Sequence, residues 1–63
     1  MIEKYLDKSI MVSHGVFEVG TYGKYSYRGE VLHMPDSYVY GNSEEEVLTK
    51  MKKILKEKYD NKN

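Results

Sequence analysis

The stretch YVYGNSEEEV, residues 38 to 47, decides the fold. It passes from a strand-like alternation, through Gly-Asn-Ser, into three consecutive carboxylates that lead an apolar repeat. Ser43 followed three residues later by Glu46 is a capping box: the serine oxygen takes the free amide of Glu46, and the glutamate reaches back to the amide of Ser43. Beyond it Val47, Leu48, Met51, Ile54, Leu55 and Tyr59 recur at spacings of three and four. Lys50, Lys52, Lys53 and Lys56 fall mostly outside that stripe. The pattern predicts a helix over 43–59 with a fraying tail at 60–63.

Upstream the period changes to two. Gly15 to Thr21 alternates Phe17, Val19 and Thr21 with Val16, Glu18 and Gly20, as a strand with two unlike faces does. Tyr22-Gly23-Lys24 offers the glycine of a tight hairpin, and Tyr25 to Leu32 resumes the alternation. Gly29, inside this second strand, weakens pairing unless it marks a bulge or lets another backbone come close. Pro35-Asp36 is expected to end the strand, and Ser37 to Tyr40 to form a short third one released at Gly41. Ile2, Tyr5, Leu6 and Ile10 lie at helical spacing in a run too short to be stable undocked, so 1–12 is expected to be an arm or short helix. The predicted fold is α+β, one domain over 1–63, with a three-stranded antiparallel meander at 13–40 and one C-terminal helix.

With 63 residues, the chain removes from water only roughly 60% of the surface exposed when it is unfolded. It has no cysteine, so disulfides and thiolate metal sites cannot supplement its core, and sharing a core with a second copy is the remaining route. A homodimer is therefore expected. Ten basic and ten acidic residues balance, yet residues 1–46 hold eight acids against four bases and residues 47–63 two against six. An acidic front argues against a phosphate-gripping sheet. It also suits a helix whose acids start it and whose lysines finish it. The first residues carry no apolar core of signal-peptide length, and no segment is long enough to span a membrane, so a cytoplasmic location is the expectation.

His14 and His33 are the only imidazoles and share no metal spacing, and no nucleophile motif, phosphate loop or dinucleotide fingerprint is visible. No enzyme activity, metal or cofactor is expected. Glu44, Glu45 and Glu46 have a structural account in capping and the helix dipole, and a functional one as part of an anionic surface with Glu30 and Asp36. Seven of the eight aromatics are tyrosines, rings suited to half-wet surfaces. Met34, beside the proline, is the methionine most suited to a soft contact.

Gly23-Lys24 followed by Tyr25-x-Tyr27 and a nearby glycine, then Tyr40-Gly41-Asn42-Ser43 with an acidic helix start, together form a pattern. Over Val16 to Leu55 the chain resembles the small dimeric uracil-DNA glycosylase inhibitors of Bacillus podophages. The resemblance implies a homodimer that occupies the DNA-binding cleft of the host enzyme in the host cytoplasm. In it carboxylates stand where phosphates would, and an apolar pocket receives the enzyme's intercalating side chain. Tyr40 matches the family tyrosine, and direct nucleic-acid binding is not implied. Ser26 stands where the family has an acidic residue, a role that Glu30 is placed to take. The family's exposed phenylalanine is missing from MPDSYV, leaving Tyr38 or Met34 as substitutes. The expected partner surface is Tyr40, Tyr38, Glu30, Asp36, Ser26, Met34, Glu44 and Glu45. The alternative is an antitoxin-like or regulatory nucleic-acid-binding module, in which Arg28, Lys24 and the lysines beyond Lys50 carry the contact.

Overall fold

The computed structural model describes residues 1–59, so the predicted tail at 60–63 lies outside the described residues. Four strands, β1 (Ile2–Tyr5), β2 (Lys8–Val19), β3 (Gly23–Val31) and β4 (Met34–Gly41), precede the helix α1 (Glu44–Tyr59). They form one antiparallel sheet in the order β1-β2-β3-β4. The α+β class and the C-terminal helix match the sequence expectation, whereas the sheet has four strands rather than three.

The additional strand comes from residues 1–12, which are neither an arm nor a helix. β1 pairs with β2 from Ile2↔Met11 to Tyr5↔Lys8. Leu6 and Asp7 make the two-residue turn between them, both in the left-handed region at φ 52° and 63°. Aspartate tolerates that region and leucine does not, so composition concealed the turn. The helical spacing of Ile2, Tyr5, Leu6 and Ile10 competed with a period of two in Ile10 and Val12, and the latter wins because it buries both side chains in the core.

Two other turns are displaced from their expected places. The β2–β3 loop is Gly20-Thr21-Tyr22, and its left-handed glycine is Gly20 at φ 68°, whereas Gly23 already pairs with Val19. The chain reverses between β3 and β4 at Leu32-His33, with His33 at φ 66°, and the Leu32 N–H donates to the Ser9 carbonyl at 2.9 Å. Pro35 therefore does not end a strand. It lies within β4 where the register to β3 breaks between Glu30 and Val31, and an irregular stretch of an edge strand tolerates a residue without an N–H.

Among the described residues, only one face of the sheet is covered. Ile10, Val12 and Val31 meet Val47, Met51 and Leu55 there, with Tyr5, Tyr27, Met34, Val39 and Leu48 packed around them. The buried helix positions are the 47, 51, 55 row of the predicted stripe, while Ile54 and Tyr59 at its margin stay partly exposed. The helix sits close because Gly29 and Gly41 leave room for Val47. A Cβ on Gly29 would run into Val47 Cγ1, and one on Gly41 would come within 3.0 Å of Val47 Cγ2. The close approach anticipated at Gly29 is thus that of the helix.

The cap forms with one change of partner. Glu46 N–H donates to Ser43 Oγ at 3.1 Å, but the Glu46 carboxylate accepts from the Asn42 N–H at 2.9 Å instead of from Ser43. This hydrogen bond, followed by that from Lys50, holds the Glu46 carboxyl below its ordinary pKa. Stability from a depressed carboxyl is complete above its unfolded pKa and is lost as pH falls through the folded one. Ser43→Ala is expected to cost about 1 kcal/mol. On acidification the parent should lose more helical signal by circular dichroism than Glu46→Gln; equal losses would remove Glu46 ionisation from the account.

Candidate functional site

The register that buries Gly29 and Val39 under the helix turns their neighbours to the other face. Arg28 pairs with Tyr40 and Glu30 with Tyr38, so these four side chains share the sheet face opposite α1. Arg28 Nη1 donates to Glu30 Oε1 at 2.5 Å, an ion pair in which both side chains are partly exposed. The hydrogen bond to Glu30, with Tyr40 second, raises the Arg28 pKa above its ordinary value. The guanidinium carbon lies 5.0 Å from the Tyr38 ring centroid and 5.9 Å from that of Tyr40, within range of cation–π attraction.

Tyr40 is the hub of this surface. Its ring lies 5.9 Å from Tyr38 in an edge-on arrangement, 5.8 Å from Tyr25 in a stacked one, and 5.9 Å from Phe17. Phe17 and Tyr25 belong to the β2–β3 hairpin beyond the end of β4, past a break in register between His14 and Phe17. A bulge of this kind bends the strand and adds twist, which brings rings from the hairpin to the end of β4. Lys50 closes the corner: its ammonium donates to the Tyr40 carbonyl at 2.8 Å, pairs with Glu46 at 3.0 Å, and lies 5.9 Å from the Tyr25 ring.

Of the expected partner residues, Tyr40, Tyr38 and Glu30 come together, with Glu30 ion-paired to Arg28. Asp36 is exposed in the irregular part of β4, and Ser26 is exposed on β3 two residues before Arg28. Glu44 and Glu45 are exposed in the first turn of α1, joined to Tyr40 by Gly41-Asn42-Ser43. Met34 does not join them. It sits at the opposite end of β4, six residues from Tyr40 or roughly 20 Å of strand. There its sulfur accepts from the Tyr59 hydroxyl at 3.7 Å, beside a cleft of about 380 Å³ lined also by Lys8, Leu32 and His33. Phe17 and Tyr25 were not expected at the site, because the bulge that turns them toward Tyr40 leaves no mark in the alternation. From sequence, Arg28 belongs only to the nucleic-acid alternative.

No described helix is long and apolar enough to cross a membrane. The chain matches no family model, no curated protein and no solved structure.

Proposed function

We propose that the protein is a homodimeric inhibitor of uracil-DNA glycosylase that fills the enzyme's DNA-binding cleft in the host cytoplasm. One observation carries this reading: Tyr40, the residue singled out by the resemblance, is the hub of a partly exposed ring cluster four residues before a helix start bearing exposed Glu44 and Glu45. A DNA-repair enzyme presents a positive cleft and a side chain that wedges into the duplex. A mimic therefore needs aromatic surface for the wedge and carboxylates for the cleft. With Glu30 tied to Arg28, the expected acids without an ion-pair partner among the described residues are Asp36, Glu44 and Glu45.

The test is a uracil-excision assay on duplex DNA with increasing amounts of the protein. Excision is expected to stop at near-stoichiometric inhibitor, and a glycosylase that stays fully active in excess protein would overturn the reading.

Arg28 favours a second one. A cation among exposed tyrosines resembles the stacking platforms that hold single-stranded nucleic acid, and Lys24 is exposed on the same strand. A regulatory nucleic-acid-binding module of this kind would bind a labelled oligonucleotide with affinity that falls steeply as salt rises.

A further inference from the structure

The cleft at the Met34 end of β4 is remote from the Tyr40 corner, and its walls come from three parts of the chain. The β1–β2 turn supplies Asp7 and leads into Lys8, the β3–β4 turn supplies Leu32 and His33, and the end of α1 supplies Tyr59. The Leu32 N–H donates to the Ser9 carbonyl, which ties the two turns side by side. Among the described residues, Leu6, Asp7 and His33 are the only ones other than glycine in the left-handed region, and all three belong to these turns. Backbone held in so sparsely populated a region gathers at ligand sites, where the surrounding structure over-determines it. A volume of about 380 Å³ suits a small molecule.

The charges of the cleft are placed but unmatched. The Lys8 ammonium lies 4.6 Å from the Tyr59 ring centroid, and the Tyr59 hydroxyl is committed to the Met34 sulfur, so ring and cation hold each other in position. The Asp7 carboxylate lines the same space. The ion pairs among the described residues are Arg28–Glu30, Lys50–Glu46 and Lys52–Glu3, and none involves Lys8 or Asp7. Lys58 approaches the Tyr59 ring at 5.8 Å without lining the cleft. Beside the two charges lie exposed Leu32 and Tyr59 and half-buried Met34, an apolar surface open to solvent.

We infer that this cleft binds a free α-amino acid with an apolar side chain. Its carboxylate would meet Lys8, its ammonium Asp7, and its side chain Leu32, Met34 and Tyr59. The pair of opposite charges decides between ligand classes. A simple organic anion satisfies Lys8 and is repelled by Asp7, and an amine does the reverse, so each leaves one charge of the cleft unpaired. Lys8 and Asp7 are neighbours in sequence, with α-carbons about 3.8 Å apart, and the matching charges must be as close, as they are on a single α-carbon. A peptide end carries only one of the two charges. The His33 imidazole, which lines the same space, can donate a hydrogen bond to the carboxylate.

The test compares three probes on the full chain by NMR, read from the Met34 methyl and Tyr59 ring signals. L-Phenylalanine carries both charges, 3-phenylpropanoate lacks the ammonium, and 2-phenylethylamine lacks the carboxylate. L-Phenylalanine is expected to bind with a dissociation constant of about 1 mM or below, and about tenfold or more tighter than either relative. Asp7→Asn keeps a residue that tolerates the left-handed region. It should weaken L-phenylalanine about tenfold and leave 3-phenylpropanoate no weaker, because the repelling carboxylate is gone. Lys8→Gln should weaken L-phenylalanine and 3-phenylpropanoate alike and spare 2-phenylethylamine. A variant that merely loses its fold would weaken all three probes together, and the probe series on the parent decides in that event. Absence of any shift with L-phenylalanine, or either relative binding as tightly as the amino acid, would overturn the inference. No step involves the glycosylase, so the outcome here and the outcome of the excision assay are independent.

Discussion

Gly29→Ala is expected to destabilise the protein by about 1–3 kcal/mol through overpacking. The added methyl group would enter the space of Val47 Cγ1, a side chain that is completely buried. Val47 is β-branched and cannot rotate away freely in a helix. Gly29 is not in the left-handed region, so alanine fits its backbone, and the lowered entropy of the unfolded chain returns only about 0.4–1 kcal/mol. The loss is large for this chain, because a domain of 63 residues is stable by something on the order of 3–9 kcal/mol. Each kcal/mol lowers the thermal midpoint of so small a domain by about 4–8 °C. Adding Val47→Ala should recover part of the loss, and a double variant whose effect equals the sum of the two singles would show that the two residues do not compete for the same space.

Tyr40→Ala is expected to weaken inhibition of uracil excision by about tenfold or more, which corresponds to about 1.4 kcal/mol of binding. The substitution removes the ring on which Phe17, Tyr25 and Tyr38 converge and leaves Arg28 with one aromatic neighbour in place of two. Each ring contact is worth about 0.5–1.5 kcal/mol beyond its buried area, so stability also falls, and a melting curve must show the variant folded at the assay temperature. Tyr40→Phe separates the ring from the hydroxyl. It should retain most of the inhibition if the ring fills the role proposed for it. Parent-like inhibition by Tyr40→Ala would remove Tyr40 from the mechanism.

The helix could be read from the sequence because its signals agree: a serine cap, acids in the first turn, an apolar stripe and lysines toward the end. Three of its six predicted apolar positions, Val47, Met51 and Leu55, form the buried row, and Ser43 caps it as predicted while Glu46 accepts from Asn42 rather than from Ser43. The central hairpin also followed from alternation, although Gly23 drew the turn away from Gly20. What stayed hidden depends on backbone conformations that residue types do not announce. Leu6 in the left-handed region contradicts its own preference, so the first hairpin resembled a helical turn. Pro35 signals a strand end wherever it cannot be placed in an irregular edge. Which face the helix covers was open in the sequence, and Gly29 holds the answer, since only the face without a Cβ at that position admits Val47. Tyr38 and Tyr40 could be singled out as surface tyrosines, but their grouping with Phe17 and Tyr25 depends on a bulge that composition does not encode.

One amine ties the corner together. The Lys50 ammonium reaches the carboxylate that caps the helix and the carbonyl of Tyr40, one residue before the end of β4. Acylating that nitrogen would silence its charge and free both oxygens at once. The rate at which an amine-specific reagent labels Lys50 therefore gauges how often strand and helix part company beneath Tyr40, with no binding partner in the tube.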